Sequence, residues 1–229
     1  MEKSLRSVYN VYGKEASFMQ AVLFGIFGGY ILGSVNPAYL IGLFKGEDIR
    51  ETGSHNAGAS NALIVYGKKV GAFCAIFDIL KAYFIIKLVG FLWPDEVLAK
   101  VCAASSCIMG HMFPVFMRFR GGKGLACTGG TILAYSMKLF CILLLLSLLL
   151  VLVTDYICFV PASVSIYAPV LYGFFTKDYI GQIIFTVVGL IMFSKHIKNF
   201  RRIAAGTEAH FSFLWNRENE IDRVQKKEG

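Results

Sequence analysis

The amino-acid sequence predicts an all-α, polytopic membrane protein of about seven transmembrane helices, with its N-terminus outside and its C-terminus in the cytoplasm. Three observations carry this expectation. Of 229 residues, 56% are apolar and only 17% charged, where a soluble domain carries about a quarter of its residues as charges. The apolar residues come in blocks long enough to span a bilayer. Between the blocks, basic residues gather in three clusters: Lys45/Arg50/Lys68/Lys69, Arg118/Arg120/Lys123 and Lys195/Lys198/Arg201/Arg202. The positive-inside rule assigns all three to the cytoplasm.

Residues 1–18 form a polar N-terminal leader of mixed charge. The first apolar block, 19–44, is too long for the core of a signal peptide. Blocks at 70–92 and 97–117 follow, separated by "WPDE" at 93–96, which falls outside. The block at 124–153 would be about 45 Å long as one helix, against a hydrocarbon core of about 30 Å. "AYSMK" at 134–138 interrupts it. A split there gives two short spans and brings the third basic cluster to the same side as the first two. Such short spans must pack against neighbours, because irregular backbone at membrane depth is tolerated only when shielded from lipid. Blocks 156–175 and 180–194 complete a membrane-embedded domain over 19–215, and 216–229 is a charged cytoplasmic tail with balanced acids and bases.

The six cysteines, Cys74, Cys102, Cys107, Cys127, Cys141 and Cys158, form no CxxC pair and lie mostly in apolar runs. They read as reduced, structural thiols. No metal-ligand spacing, cofactor motif or Ser/His/Asp order is legible, so no metal and no cofactor are expected. The net charge of +8 fits anionic headgroups or anionic substrates; nucleic acid is not expected, since no soluble basic domain is present to carry it.

Three stretches on the cytoplasmic face carry chemistry. "GEDIRETGSHNAGASN", Gly46 to Asn61, alternates small and polar residues. Its amides can form a concave anion nest, with Ser54, Asn56, Ser60 and Asn61 as further donors; the alternative is a plain turn-rich loop. "RFRGGKGLACTGG", Arg118 to Gly130, is not a Walker A loop, because Lys123 is followed by Gly124 rather than Ser or Thr. Gly121 and Gly122 would let backbone approach a phosphate, with Lys123 as a point charge. A loop that only sets topology explains the charge but not the glycines. In "KHIKNFRRIAAGTE", His196, Asn199 and Arg202 recur every third residue on one helix face, a clamp for an oxyanion or phosphate. The alternative is a basic helix lying on anionic lipid. Asp78 and Lys81, one turn apart inside an apolar block, read as an internal ion pair.

Together these residues resemble the bacterial acyl-phosphate:glycerol-3-phosphate acyltransferases, the PlsY family, over about residues 25–210. "LGSVNPAYLIG" is similar to the family's first-helix segment, "DIRETGSHNAGASN" to its D-x-R-x-x-GSGNxGATN loop and "FDILKAY" to its D-x-x-KG helix. "GHMFPVFMRFRGGKGLA" matches GHxFPxFxxFKGGKGVA, and "KHIKNFRRIAAGTE" is similar to the HRxNIxRLxxGTE ending. The resemblance implies transfer of a fatty acyl group from acyl phosphate to the 1-hydroxyl of glycerol 3-phosphate, at a cytoplasm-facing site in the bacterial plasma membrane. An acyl phosphate is already activated, so a protein nucleophile is unnecessary. The reaction needs two phosphates held in register and charge stabilisation at the carbonyl, and a bound phosphate oxygen can serve as base.

The catalytic residues implied are Ser54, Lys123, His196 and Asn199. Substrate binding is expected from Ser34, Arg50, Asn56, Gly58, Asn61, Gly121, Gly122, Arg202, Gly206 and Glu208. Three departures stand out. Ile64 occupies the place of a usual arginine, and His55 that of a usual glycine. Asp155, Cys158 and Pro161 stand where the family's R-Y-V-S-L-x-S has Arg, Ser and Ser. His55 is expected to supply part of the missing positive charge. A non-catalytic, phospholipid-binding or altered-acceptor homologue is the alternative. An anion transporter fits less well, because no repeat of broken helices is legible.

Overall fold

The computed structural model describes residues 2–208 and 210–214, with side chains over 13–208 and 210–212; the charged tail expected at 216–229 lies outside them. Every regular element among the described residues is helical. The first apolar block is two helices, α1 (Glu2–Ser34) and α2 (Pro37–Phe44). Proline drives its predecessor out of helical geometry, and Asn36 is extended at φ −117, ψ 106. Its side chain caps α2 by accepting from Tyr39 N at 2.9 Å and donates to Ala57 O at 2.7 Å, tying the break to the first polar loop. The polar leader is helical and continuous with this first block, since α1 starts at Glu2.

The chain continues through α3 (Ala59–Tyr66), α4 (Lys68–Leu92) and α5 (Val97–Met112). Helices α6 (Leu125–Tyr135) and α7 (Met137–Thr154) are separated at Ser136, inside the interruption read from the sequence. Extended backbone there ends α6, and the Ser136 hydroxyl caps α7 by accepting from Leu139 N at 3.2 Å. Helices α8 (Phe159–Thr176), α9 (Tyr179–Ser194) and α10 (Ile197–Ala205) complete the fold.

Among the described residues, five stretches are long and apolar enough to cross a membrane: Gly13–Phe44, Val97–Met117, Met137–Thr154, Phe159–Thr176 and Tyr179–Ala205. The 25-residue α4 is as long but carries Asp78, Lys81 and Lys87 in its body. The 11-residue α6 is short, about 16 Å at 1.5 Å per residue. Helix α7 turns most of its leucines outward, as a lipid-facing helix does.

Lipid tails are as apolar as leucine, so helices in a bilayer associate through close packing rather than hydrophobic exclusion. Helix α1 meets that demand with Gly25, Gly29 and Gly33, four residues apart on one face, against Ala99, Ala103 and Cys107 of α5. A Cβ on Gly25 would lie 2.6 Å from Ala99 O; on Gly29 or Gly33 it would collide with the carbonyl of Ala103 or Cys107. Ser34 sits in this seam, 5% exposed, its hydroxyl donating to Tyr30 O at 2.8 Å. Gly130 lets α6 lie against Ile79 of α4, and Gly189 lets α9 lie against Ser165 of α8.

The ion pair read from the sequence is formed: Lys81 Nζ lies 2.7 Å from Asp78 Oδ1. The same ammonium donates to Gly33 O and Val35 O at 2.8 and 2.7 Å, closing the C-terminal end of α1.

Gly29→Val should destabilise the purified protein by about 1–3 kcal/mol or more through overpacking. Gly13→Val, where an added Cβ meets nothing within 4 Å, should not. Thermal unfolding in detergent compares the two, and equal melting temperatures would deny the seam its role.

Candidate active site

The first polar loop is held from within. The Arg50 guanidinium pairs with Asp48 through Nε and Nη2, donates from Nη1 to Met117 O at 2.6 Å, and stacks 4.7 Å from the Tyr39 ring centroid. It therefore clamps this loop to the next one and does not face the cavity described below. Asn61 is fully buried. Its Oδ1 accepts from Ser54 N at 2.7 Å, and its Nδ2 donates to Ile49 O and Thr52 O at 2.8 and 2.9 Å. Gly53, at φ +59, passes so close to Asn61 that a side chain would not fit.

His55 holds φ +57, the left-handed region that favours glycine. That conformation accounts for the family's glycine at this place. The ring Nδ1 lies 3.3 Å from Arg50 O, and His55 is not among the residues lining the cavity. The expectation that it supplies compensating charge there is corrected accordingly.

The second loop also differs from its reading. Gly121 N donates to Met112 O at 3.2 Å and Gly122 N to His111 O at 3.0 Å. A Cβ on either glycine would strike His111. These glycines seal the loop against the end of α5; their amides are spent on protein carbonyls and do not form a nest. The glycine that serves the site directly is Gly124, whose φ of +90 turns the chain into α6.

In the third stretch His196 stands at the start of α10, 1% exposed. Its Nδ1 donates to Met192 O at 2.9 Å, which leaves Nε2 as the unprotonated nitrogen. Asn199 Oδ1 accepts from Lys123 Nζ at 2.5 Å, Asn199 Nδ2 donates to Glu208 Oε1 at 2.5 Å, and Arg202 Nε donates to Glu208 Oε2 at 2.8 Å. Gly206, at φ +70, ends α10 and turns the chain so that Glu208 N bonds Arg202 O at 3.2 Å. "GTE" is thus a turn that returns a carboxylate to its own helix.

These pieces enclose a cavity of about 330 Å³. Ser54, Asn56, Gly58, Lys123, His196, Asn199 and Glu208 line it. Ser34, Arg50, Asn61, Gly121, Gly122, Arg202 and Gly206 do not. Asp78 and His111, which the sequence reading left out of the site, also line it, as do Ile64, Cys158 and Pro161.

Four helices start at this cavity. The residues preceding α3, α6, α8 and α10 (Gly58, Gly124, Cys158 and His196) all line it, and none makes a side-chain capping bond. The first-turn amides of α3 and α6 find no acceptor among the described residues. A helix N-terminus behaves as roughly half a positive charge, so backbone at this wall adds to Lys123 in favouring an anion. A second, mostly apolar cavity of about 590 Å³ adjoins it among α6, α7, α8 and α9, sharing Ile132, Leu143 and Val164 as walls. Asp78, His111 and Cys127 come close enough to suggest a metal cage. The Lys81 ammonium, 2.7 Å from Asp78 and 3.2 Å from His111 Nδ1, takes that position instead.

The family model for glycerol-3-phosphate acyltransferase matches residues 23–206. A glycerol-3-phosphate acyltransferase 2 from Thermotoga maritima is 35% identical over 181 residues, 79% of this chain and 91% of its own. The Bacillus subtilis glycerol-3-phosphate acyltransferase is 33% identical over 186 residues, 81% and 95% of the two chains. The chain belongs to the glycerol-3-phosphate acyltransferase family. Among solved structures, the glycerol 3-phosphate form of PlsY, an integral membrane glycerol 3-phosphate acyltransferase, is 29% identical with a TM-score of 0.76, covering 84% of this chain and 96% of its own. Its lysophosphatidic acid form gives 28% and 0.72, covering 82% of this chain and 94% of its own.

Within this acyltransferase fold the departures now have places. Ile64, Cys158 and Pro161 face the cavity. Asp155 has become an anchor for the chain itself: its carboxylate accepts from Ser212 N and Oγ at 2.8 and 2.9 Å.

Burial lowers the Lys123 pKa to about 8, against the opposing pull of the Glu208 carboxylate. The ammonium is present below about pH 8 and is lost as pH rises. If it binds phosphate, kcat/KM should fall above about pH 8, and Glu208→Gln, which removes the stabilising anion, should move that fall to lower pH. Superimposable pH–rate profiles for the two proteins would break the link between Glu208 and Lys123.

Proposed function

We propose that this protein transfers a fatty acyl group from acyl phosphate to the 1-hydroxyl of glycerol 3-phosphate, forming lysophosphatidic acid and inorganic phosphate. The observation that carries the reading is the convergence of four helix N-termini without side-chain caps and Lys123 on a cavity that adjoins an apolar one. Such a site suits two phosphates and one hydrocarbon chain. Lys123 and the start of α6 hold one phosphate; the start of α3, with Ser54 and Asn56, holds the other. The hydroxyl oxygen attacks the acyl carbon while the carbon–oxygen bond to phosphate breaks, and the hydroxyl proton passes to a phosphate oxygen. His196 Nε2 accepts from the neighbouring 2-hydroxyl of glycerol 3-phosphate and so orients the attacking 1-hydroxyl, whose own proton is left to the phosphate oxygen. Asn199 fixes the Lys123 ammonium, and Glu208 fixes Asn199. Arg50, Asn61, Gly121, Gly122, Arg202 and Gly206 act by positioning, and Ser34 by holding the helix seam. Binding both substrates in register supplies most of the acceleration, with charge stabilisation supplying the rest.

The test is release of inorganic phosphate from palmitoyl phosphate, dependent on glycerol 3-phosphate, by the purified protein. Lys123→Ala should cut turnover at least about tenfold, since a charged hydrogen bond contributes roughly 1.5–3 kcal/mol. Wild-type turnover in that variant would return the loop to a purely topological role.

The same reading has α1 with α2, α4, α5, α6, α7, α8 and α9 as seven crossings of a bacterial plasma membrane, the active site facing the cytoplasm. Three loops that line one cavity must lie on one side of the membrane, which favours this arrangement. Cysteine labelling in intact cells should protect 52–60, 120–123 and 200–206, and reach 94–96 and 136–138. Labelling of 120–123 but not 200–206 would dismantle the composite site.

A further inference from the structure

We infer that Asp155 is a positioning residue for this site: it ties down the segment that follows α10 and so keeps the Glu208 carboxylate on Asn199 and Arg202, beside Lys123. The inference rests on the acyl-transfer reading above for the use made of Lys123. Asp155 is a costly residue where it stands. It ends α7 with φ +59, in the left-handed region that residues other than glycine seldom occupy. Its carboxylate also follows the negative end of that helix, where an acid is unfavourable. Bonds to the C-terminal segment offset both. Asp155 Oδ1 accepts from Ser212 N at 2.8 Å and Oδ2 from Ser212 Oγ at 2.9 Å. Asp155 O accepts from Phe211 N at 2.6 Å. Beside it, His210 Nε2 lies 2.8 Å from the Tyr156 hydroxyl, and the two ring centroids are 4.8 Å apart. Phe211 packs against the main apolar core. Residues 210–212 are thus fixed to the turn between α7 and α8.

Glu208 lies between this tie and α10. On one side Gly206 ends the helix, and the amides of Thr207 and Glu208 donate to Arg202 O at 2.8 and 3.2 Å. On the other, Phe211 is three residues on, no more than about 11 Å of extended chain. With both sides fixed, the carboxylate can meet Asn199 Nδ2 at 2.5 Å and Arg202 Nε at 2.8 Å together. The same turn leads into Cys158, which opens α8 and lines the cavity. The tie therefore joins two pieces of the cavity lining, Cys158 and Glu208. Burial and the Arg202 and Lys195 cations favour loss of the Lys123 proton, and the Glu208 carboxylate favours keeping it. Cys158 and His196 also act on that ammonium, and Asp78 and His111 line the same cavity. Released from the tie, Glu208 would spend less time on Asn199, and Lys123 would lose its proton more readily.

The experiment uses the full-length protein in detergent and reads the pH at which kcat/KM falls on the alkaline side. Asp155→Ala should move that fall at least about half a pH unit lower, because a close opposite charge shifts a pKa by about 1–3 units and part of that is lost. Added to Glu208→Gln, the same substitution should move it no further. Asp155→Asn should keep the wild-type fall, since asparagine tolerates the left-handed region, its Oδ1 can accept from Ser212 N and its Nδ2 can donate to Ser212 Oγ. Ser212→Ala, which removes one bond of the tie, should shift the fall in the same direction by less. Competitive acetylation of Lys123 by trace acetic anhydride across pH, read by mass spectrometry, should rank the variants in the same order without turnover. A folded Asp155→Ala whose Lys123 titrates as in the wild type overturns the inference. If that variant does not fold, Ser212→Ala with wild-type titration overturns it equally. An Asp155→Asn shifted as far as Asp155→Ala makes the effect one of charge alone and overturns it too. A wild-type protein inactive on every acyl phosphate overturns the acyl-transfer reading, and the acetylation measurement then decides the positioning role by itself.

Discussion

The constraint on which the rest of the structure depends is the meeting of four helix N-termini without side-chain caps at one cavity wall, those of α3 and α6 with first-turn amides that no described residue accepts. Unpartnered amides are costly to bury, and four like dipole ends repel one another. The arrangement is stable only where water or an anion can reach it and the helices are held in place from elsewhere. Both conditions are met. The cavity lies where the three basic loops meet, and the holding is done by backbone packing: glycine seams between α1 and α5, α4 and α6, and α8 and α9. The Lys81 ammonium closes the end of α1 next to His111, and Gly122 packs on the other side of that ring. Positive potential at the site thus rests on small residues deep in the bundle.

This division between backbone and side chain gives the family departures a physical meaning. An arginine at position 64 would add one side-chain cation to a site whose field already comes largely from helix ends. Ile64 removes that cation and leaves the dipoles. Asp155 shows the complementary change. Where the family pattern has a cation, this chain has an acid bonded to Ser212, and Tyr156 beside it meets His210 at 2.8 Å. The side chain at this position holds the chain's own C-terminal segment.

Much of this was legible in the sequence, and what was not has a common cause. The helix break at Ser136 could be read because a 30-residue apolar run overfills a bilayer. The three loops could be read because polarity is conspicuous between apolar blocks. The direction of each loop's hydrogen bonds could not. Gly121 and Gly122 look the same in sequence whether their amides meet a phosphate or the carbonyls of His111 and Met112. Arg50 looks like a phosphate ligand until Asp48 and Met117 O are seen to take its donors. Asp78 was visible, but its meeting with His111 depends on how α4 packs against α5. The glycine seam of α1 is the one feature the sequence offered and the reading passed over: Gly25, Gly29 and Gly33 repeat every four residues, the small-residue signal for close helix approach.

Helix α6 joins these levels. At 11 residues it is too short to cross about 30 Å of hydrocarbon alone, so its two ends cannot both lie at the membrane surfaces. Its C-terminal end is fixed at the Ser136 break, where the hydroxyl caps α7, and the residue before its first turn, Gly124, lines the cavity beside Lys123. One feature of sequence, the polar interruption at 134–138, thus sets how far α6 runs and where along the bundle its N-terminus, without a side-chain cap, meets the cavity.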